Sequence, residues 1–131
     1  MTPAHIRKCI VGVIPEQVGT YTYSNGFSTE AIAVGNIPND IKVTGIEVII
    51  PNFPQVPQSL QTGDVFVHRE EKWVIEIVNH GEDKGSFYTA IDRLLRFFPR
   101  AKGTDIPQNS ILNSLPRFQL TLVHSDGYRK I

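Results

Sequence analysis

The sequence predicts an α+β fold: a mixed, mainly antiparallel β-sheet with two α-helices packed on one face, plus a protruding β-hairpin and a long loop. Three observations lead there. Several short runs alternate apolar and polar residues, the period of a strand with one buried face. Two other stretches carry apolar residues at helical spacing between capping residues and prolines. The two kinds of segment are mixed along the chain without regular βαβ repeats, which argues against a parallel doubly wound sheet. At 131 residues, the span 1–131 reads as a single domain, large enough to bury a core without disulfides or metal.

Thr2-Pro3 opens the first helix, a capping hydroxyl followed by a proline whose missing N–H is no loss in the first turn. Ile6, Cys9, Ile10 and Val13 then form one apolar stripe, until Pro15 ends the run. His5 and Lys8 fall on its outer face. The stretch Thr20 to Gly35, TYTYSNGFSTEAIAVG, reads as a hairpin with a two-residue loop at Asn25-Gly26, residues that tolerate positive φ. Tyr21 and Tyr23 share one face. In the returning arm Phe27, Thr29, Ala31 and Ala33 alternate with Ser28, Glu30, Ile32 and Val34. A hairpin alone in water is marginal, so this one must lie on the domain or on a neighbour.

Gly45-Ile50, GIEVII, is a strand dense in β-branched residues, stopped by Pro51. From Pro51 to Gly63, PNFPQVPQSLQTG has three prolines, no charge and no apolar period. Loops of this length in compact domains are uncommon unless they bind something, which makes Phe53 and Val56 candidate apolar anchors for a partner. A tolerated insertion is the plain alternative. Asp64-His68 and Trp73-His80 flank the charged link REEK, an arrangement that predicts a second hairpin, with Trp73, Ile75 and Ile77 on one face and Val74, Glu76 and Val78 on the other. Ser86 is the expected cap of a second helix, whose Phe87, Ile91, Leu94, Leu95 and Phe98 make a core-facing stripe closed by Pro99. A polar connection from Arg100 to Pro116 leads to a last strand, Phe118-His124.

Composition narrows the functional classes. The chain is 40% hydrophobic and 20% charged, an ordinary globular balance rather than a disordered or fibrous one. Thirteen basic and thirteen acidic residues leave no net charge, so the whole-chain balance points to neither nucleic acid nor membrane. Their distribution is uneven: residues 1–83 hold five basic and ten acidic side chains, while residues 84–131 hold eight and three. The imbalance either cancels within the fold or places opposite signs on surfaces that meet head to tail. Cys9 is the single cysteine, which forbids an intramolecular disulfide and reads as a small buried hydrophobe rather than a reactive thiol. No apolar run approaches the roughly 18 residues of a membrane span. The first residues lack the order of a secretory signal, so the protein is expected to remain where it is made.

Catalytic signatures are not found. His5, His68, His80 and His124 share no ligand spacing, although three of them end expected strands. Asp64, Glu76 and Asp92 have no spacing that favours paired acid and base work. Phosphate loops and nucleophile elbows are missing. The expectation is a protein that is not an enzyme and holds no cofactor or metal. Arg93, Arg96, Arg100 and Lys102 form a basic cluster along and past the second helix. Its ordinary reading is a solvated face, with Asp92 and Arg96 paired four residues apart. An acidic protein partner is the next reading, and direct phosphate binding the last, because no aromatic residues interleave for base stacking.

The order of pieces carries a resemblance: the helix AHIRKCIVGVI, the hairpin GTYTYSNGFSTEAIAVG, the strand IEVIIPNFP before a loop, then EKWVIEIVNH, the helix SFYTAIDRLLRFFP and the strand RFQLTLVH. It resembles the tail terminator, or tail completion, proteins of long-tailed bacteriophages, over about Gly45 to His124, in order and size rather than by a diagnostic motif. The early hairpin departs from that pattern. The resemblance implies a virion protein of the head–tail neck, made in the host bacterial cytoplasm. It implies a homo-oligomeric ring, usually a homohexamer, that caps the tail tube protein, stops its polymerisation and meets the head–tail connector or stopper protein. Viral DNA would pass through the lumen without specific binding, and no membrane is involved. On this reading Tyr21 and Tyr23 in the hairpin, Phe53 and Val56 in the loop, and Arg93, Arg96 and Arg100 are the expected partner-binding residues. The competing classes are another neck or tail part, such as a stopper, adaptor or tube subunit, and a small-molecule-binding α+β domain, which would be monomeric with a ligand-responsive melting temperature.

Overall fold

The structure, a computed structural model, describes residues 1–56, 66–106 and 115–129, and only the backbone of 66–69 and 125–129. Helix α1 covers Pro3–Val13 and begins as the sequence requires: the Thr2 hydroxyl accepts the His5 amide at 3.2 Å, with proline in the first turn. Ile6, Ile10 and Ile14 bury the stripe, while Cys9 is half-buried, its Sγ 3.7 Å from His5 Nε2. Strands β1 (Thr20–Tyr23), β2 (Ser28–Glu30), β3 (Ile32–Val34), β4 (Ile41–Thr44) and β5 (Ile46–Ile50) follow. Next come β6 (Phe66–Asn79), helix α2 (Lys84–Phe97), β7 (Lys102–Ile106) and β8 (Arg117–Arg129).

Two sheets result. The larger has the order β3-β5-β6-β8-β7, antiparallel except for the parallel β3·β5 pair. The smaller is an antiparallel three-stranded sheet, β2-β1-β4. Both helices pack on one face of the large sheet, where Trp73, Ile75, Ile77, Phe118, Leu120 and Leu122 meet Ile6, Ile10, Phe87, Ile91 and Leu94 in the main core. The fold is therefore α+β with helices on one face, and the expected alternation of Trp73, Ile75 and Ile77 holds. A second core of Tyr21, Ala31 and Ala33, flanked by Tyr23, Ile41 and Val43, lies between the small sheet and β3 of the large one.

The two sheets part where the backbone has no room for side chains. Gly45, at φ +77°, turns β4 into β5, and a Cβ on Gly19 would fall on the Thr44 carbonyl. The Gly19 amide donates to the Ile46 carbonyl and the Ala31 amide to the Gly19 carbonyl. As a consequence the expected returning arm of the hairpin is cut at Ala31, with β2 in the small sheet and β3 in the large one.

Four further expectations are corrected. The hairpin loop holds three residues, Ser24 to Gly26: Tyr23 and Phe27 pair across it, Gly26 alone takes positive φ (86°), and the Asn25 side chain accepts the Phe27 amide. That is a turn followed by a left-handed glycine, the usual three-residue solution. The REEK segment is no turn. It lies inside the continuous β6, because β8 pairs with β6 along its whole length and nothing in REEK reverses the chain. Helix α2 is capped by Asp83 rather than Ser86, with both Asp83 oxygens accepting, one from the Ser86 amide and one from its hydroxyl. Part of the expected connection after Arg100 forms the exposed edge strand β7.

Candidate partner-binding site

The hairpin joins the large sheet where β5 begins, through the Gly19–Ile46 backbone bond. Its tip carries Phe27, 62% exposed, with the Tyr23 ring 6.3 Å away between centroids. Tyr23 is half-buried against the small core. Tyr21 corrects the expectation of a contact residue: it is only 1% exposed and its hydroxyl donates to Glu47 Oε2 at 2.5 Å. Facing the sheet rather than solvent, it is unavailable to a partner.

Glu47, 3% exposed, was not singled out by sequence reasoning, yet it organises this region. Its register neighbour Val48 and β6 residue Ile77 belong to the main core, so Glu47 and Val78 point to the opposite face, under the small sheet. There Glu47 accepts from Tyr21 and lies 2.8 Å from His80 Nε2. Burial, and then the hydrogen bond to Glu47, hold the Tyr21 hydroxyl well above the ordinary tyrosine value. A carboxylate, a phenol and an imidazole thus tie the small sheet to the large one, a job that the thin core of one tyrosine and two alanines leaves to polar groups. A lone carboxylate inside GIEVII was the signal that could have marked it.

The loop anchors remain outward: Phe53 is 81% exposed and Val56 44%. Gln55 exchanges two backbone hydrogen bonds with Lys72, which ties the start of the loop to β6. Residues 57–65 and 107–114 lie outside the described residues, as does the side chain of His68. Arg93, Arg96 and Arg100 are exposed on or just past α2. Arg96 pairs with Asp92 at 3.1 Å, as the four-residue spacing implies. Glu76 meets Arg117 at 2.9 Å. Among the described residues no three His, Cys, Asp or Glu side chains cluster as a metal site, and no helix is long and apolar enough to cross a membrane.

The expected contact residues therefore divide into three places: the hairpin tip, the loop after β5, and the C-terminal end of α2. The structure does not gather them into one pocket. Around the α2 terminus, Met1, Phe98, Pro99, Arg100, Ala101, Leu122 and Val123 line a concavity of about 160 Å³. No protein-family model, curated protein or solved structure matches the chain.

Proposed function

We propose that the protein is a structural component of a bacteriophage particle, a tail terminator whose ring caps the tail tube, stops its polymerisation and joins it to the head-side connector, without enzymatic activity. The observation that carries this reading is where apolar surface is left over. Phe27 and Phe53, 62% and 81% exposed, sit on the hairpin and the loop, the two segments that the resemblance assigns to contact. From β5 onward, the order of strand, long strand, helix and returning strand supports the same reading.

The test is electron microscopy of tubes polymerising from the tail tube protein of the same particle, with and without this chain. The reading expects a ring at one tube end and tubes that stop growing. Tubes of unchanged length with bare ends would overturn it, and binding along the tube wall or only to connector rings would assign the chain to another neck or tail component.

A further inference from the structure

Beside the end of α2 lies a groove of about 590 Å³, which shares Pro99, Arg100, Ala101 and Val123 with the smaller concavity. Its charge is one-sided: Lys72, Arg100 and Lys102 line it against the single acid Glu70. These cations come from separate places, Lys72 from β6, Lys102 from the start of β7 and Arg100 from the connection between α2 and β7. Register explains why the two lysines converge. Trp73 and Leu122 face the helices, so Lys72 and Thr121 point to the other side of the sheet, and Lys102 stands beside Thr121. Lys72 meets Glu70 at 3.9 Å, with the side chains 44% and 33% exposed, and pairs this exposed are weak. Lys102 is exposed and has no ion pair among the described residues.

The groove runs along an open backbone edge. β7 is last in the order of the large sheet, so one side of it has no partner strand among the described residues. Which groups are open follows from the alternation of backbone direction along a strand. Lys72 turns its amide and carbonyl to Gln55, away from β8. Trp73 therefore turns to β8 and its partner Leu122 to β6, which turns Thr121 to β7 and its partner Lys102 to β8. One step further along β7, Gly103 turns its amide and carbonyl to the open edge, and Asp105 does the same. Asp105 falls on the sheet face opposite Lys102 and Thr104, so its carboxylate stays out of the groove.

Three cations against one acid leave a net charge of +2, which favours an acidic occupant, and an open strand edge favours an extended one. Sites for small molecules are mostly apolar, whereas six of the nine residues around this groove are charged or threonine. No aromatic ring lines it for base stacking. We propose that β7 takes up an extended acidic segment of a partner protein, which pairs with the backbone of Gly103 and Asp105 and lays its carboxylates across Lys72, Arg100 and Lys102. The inference goes beyond the tail-terminator reading and depends on neither tubes nor rings.

The experiment titrates the full, isotope-labelled chain with the peptide acetyl-Thr-Asp-Val-Glu-Val-Asp-amide, whose three acids share one face of a strand, and follows the amide signals by NMR. The expected result is shifts confined to residues 70–72, 99–105 and 121–123, with slowed hydrogen exchange at the Gly103 and Asp105 amides. The same peptide with Asn, Gln and Asn for its acids should bind about tenfold more weakly or worse, and Lys102→Glu, which touches neither core, should weaken the acidic peptide as much while its melting temperature holds. Equal affinity for the two peptides, no shifts at millimolar peptide, or shifts elsewhere on the chain would overturn the proposal. Acetate or inorganic phosphate giving the same shifts at the same affinity would also overturn it and assign the groove to a small anion. Tube capping by a chain that ignores the peptide would sink this site and leave the terminator reading in place. Peptide binding by a chain that never caps tubes would do the reverse.

Discussion

Glu47 shows how one residue can decide the placement of a whole sheet. A carboxylate this deep is tolerable only when hydrogen-bonded, and Tyr21 and His80 supply the bonds. Tyr21→Phe removes the donor to Glu47 Oε2 and should cost about 1–3 kcal/mol in urea unfolding, far more than the same change at Tyr23, for which no such bond exists among the described residues. The pH consequence has a definite sign. Tyr21 has a folded value raised above the ordinary 10.0, so its contribution is fully present below that value and is lost as the pH rises above it. Wild type should therefore lose stability above pH 10 more steeply than Tyr21→Phe. Asp83 acts in the opposite sense. The Ser86 amide, and then the Ser86 hydroxyl, lower its carboxyl below the ordinary value, so its contribution is present above the ordinary carboxylate range and fades as acid protonates the cap. Asp83→Asn, which still accepts the Ser86 amide, should flatten the acid limb of the melting curve while changing the neutral melting temperature little.

At the scale of elements, the helices were the most legible part because period and terminating proline coincide, although the cap of α2 was read at Ser86 and lies at Asp83. Leu94 was read as core and is fully buried. Leu94→Ala should cost about 2–5 kcal/mol, while Arg93→Ala, on the exposed face, should leave stability nearly untouched. Denaturant midpoints of the two variants measure the contrast. The strands were legible where they alternate and opaque where tertiary pairing overrides local pattern. REEK looked like a link because it is charged, yet β8 holds it in β6. Lys102–Ile106 has no apolar period, since an edge strand exposed on both faces needs none. The boundary between the sheets was hidden because it depends on Gly19 and Gly45 meeting across a long sequence separation. The contact residues were legible as unusual composition in a loop and a hairpin, but Tyr21 was misplaced: period two shows which residues share a face, not whether that face is covered.

For the whole molecule, the same chain packs a large core with its helices and a small one under its hairpin, and leaves Phe27 and Phe53 outside both. Phe53→Ala should keep the melting temperature within a few degrees, because the ring contributes little to either core, and on the proposed function it should weaken capping of tail tubes. The most direct measurement of the central claim is the mass of the free protein by light scattering at rising concentration. A chain of 14.7 kDa that assembles into a closed ring should climb to a fixed multiple of that mass and then stop. A mass that stays at the monomer value up to the highest concentration would contradict the account, and one that keeps growing without a plateau would contradict the closed ring.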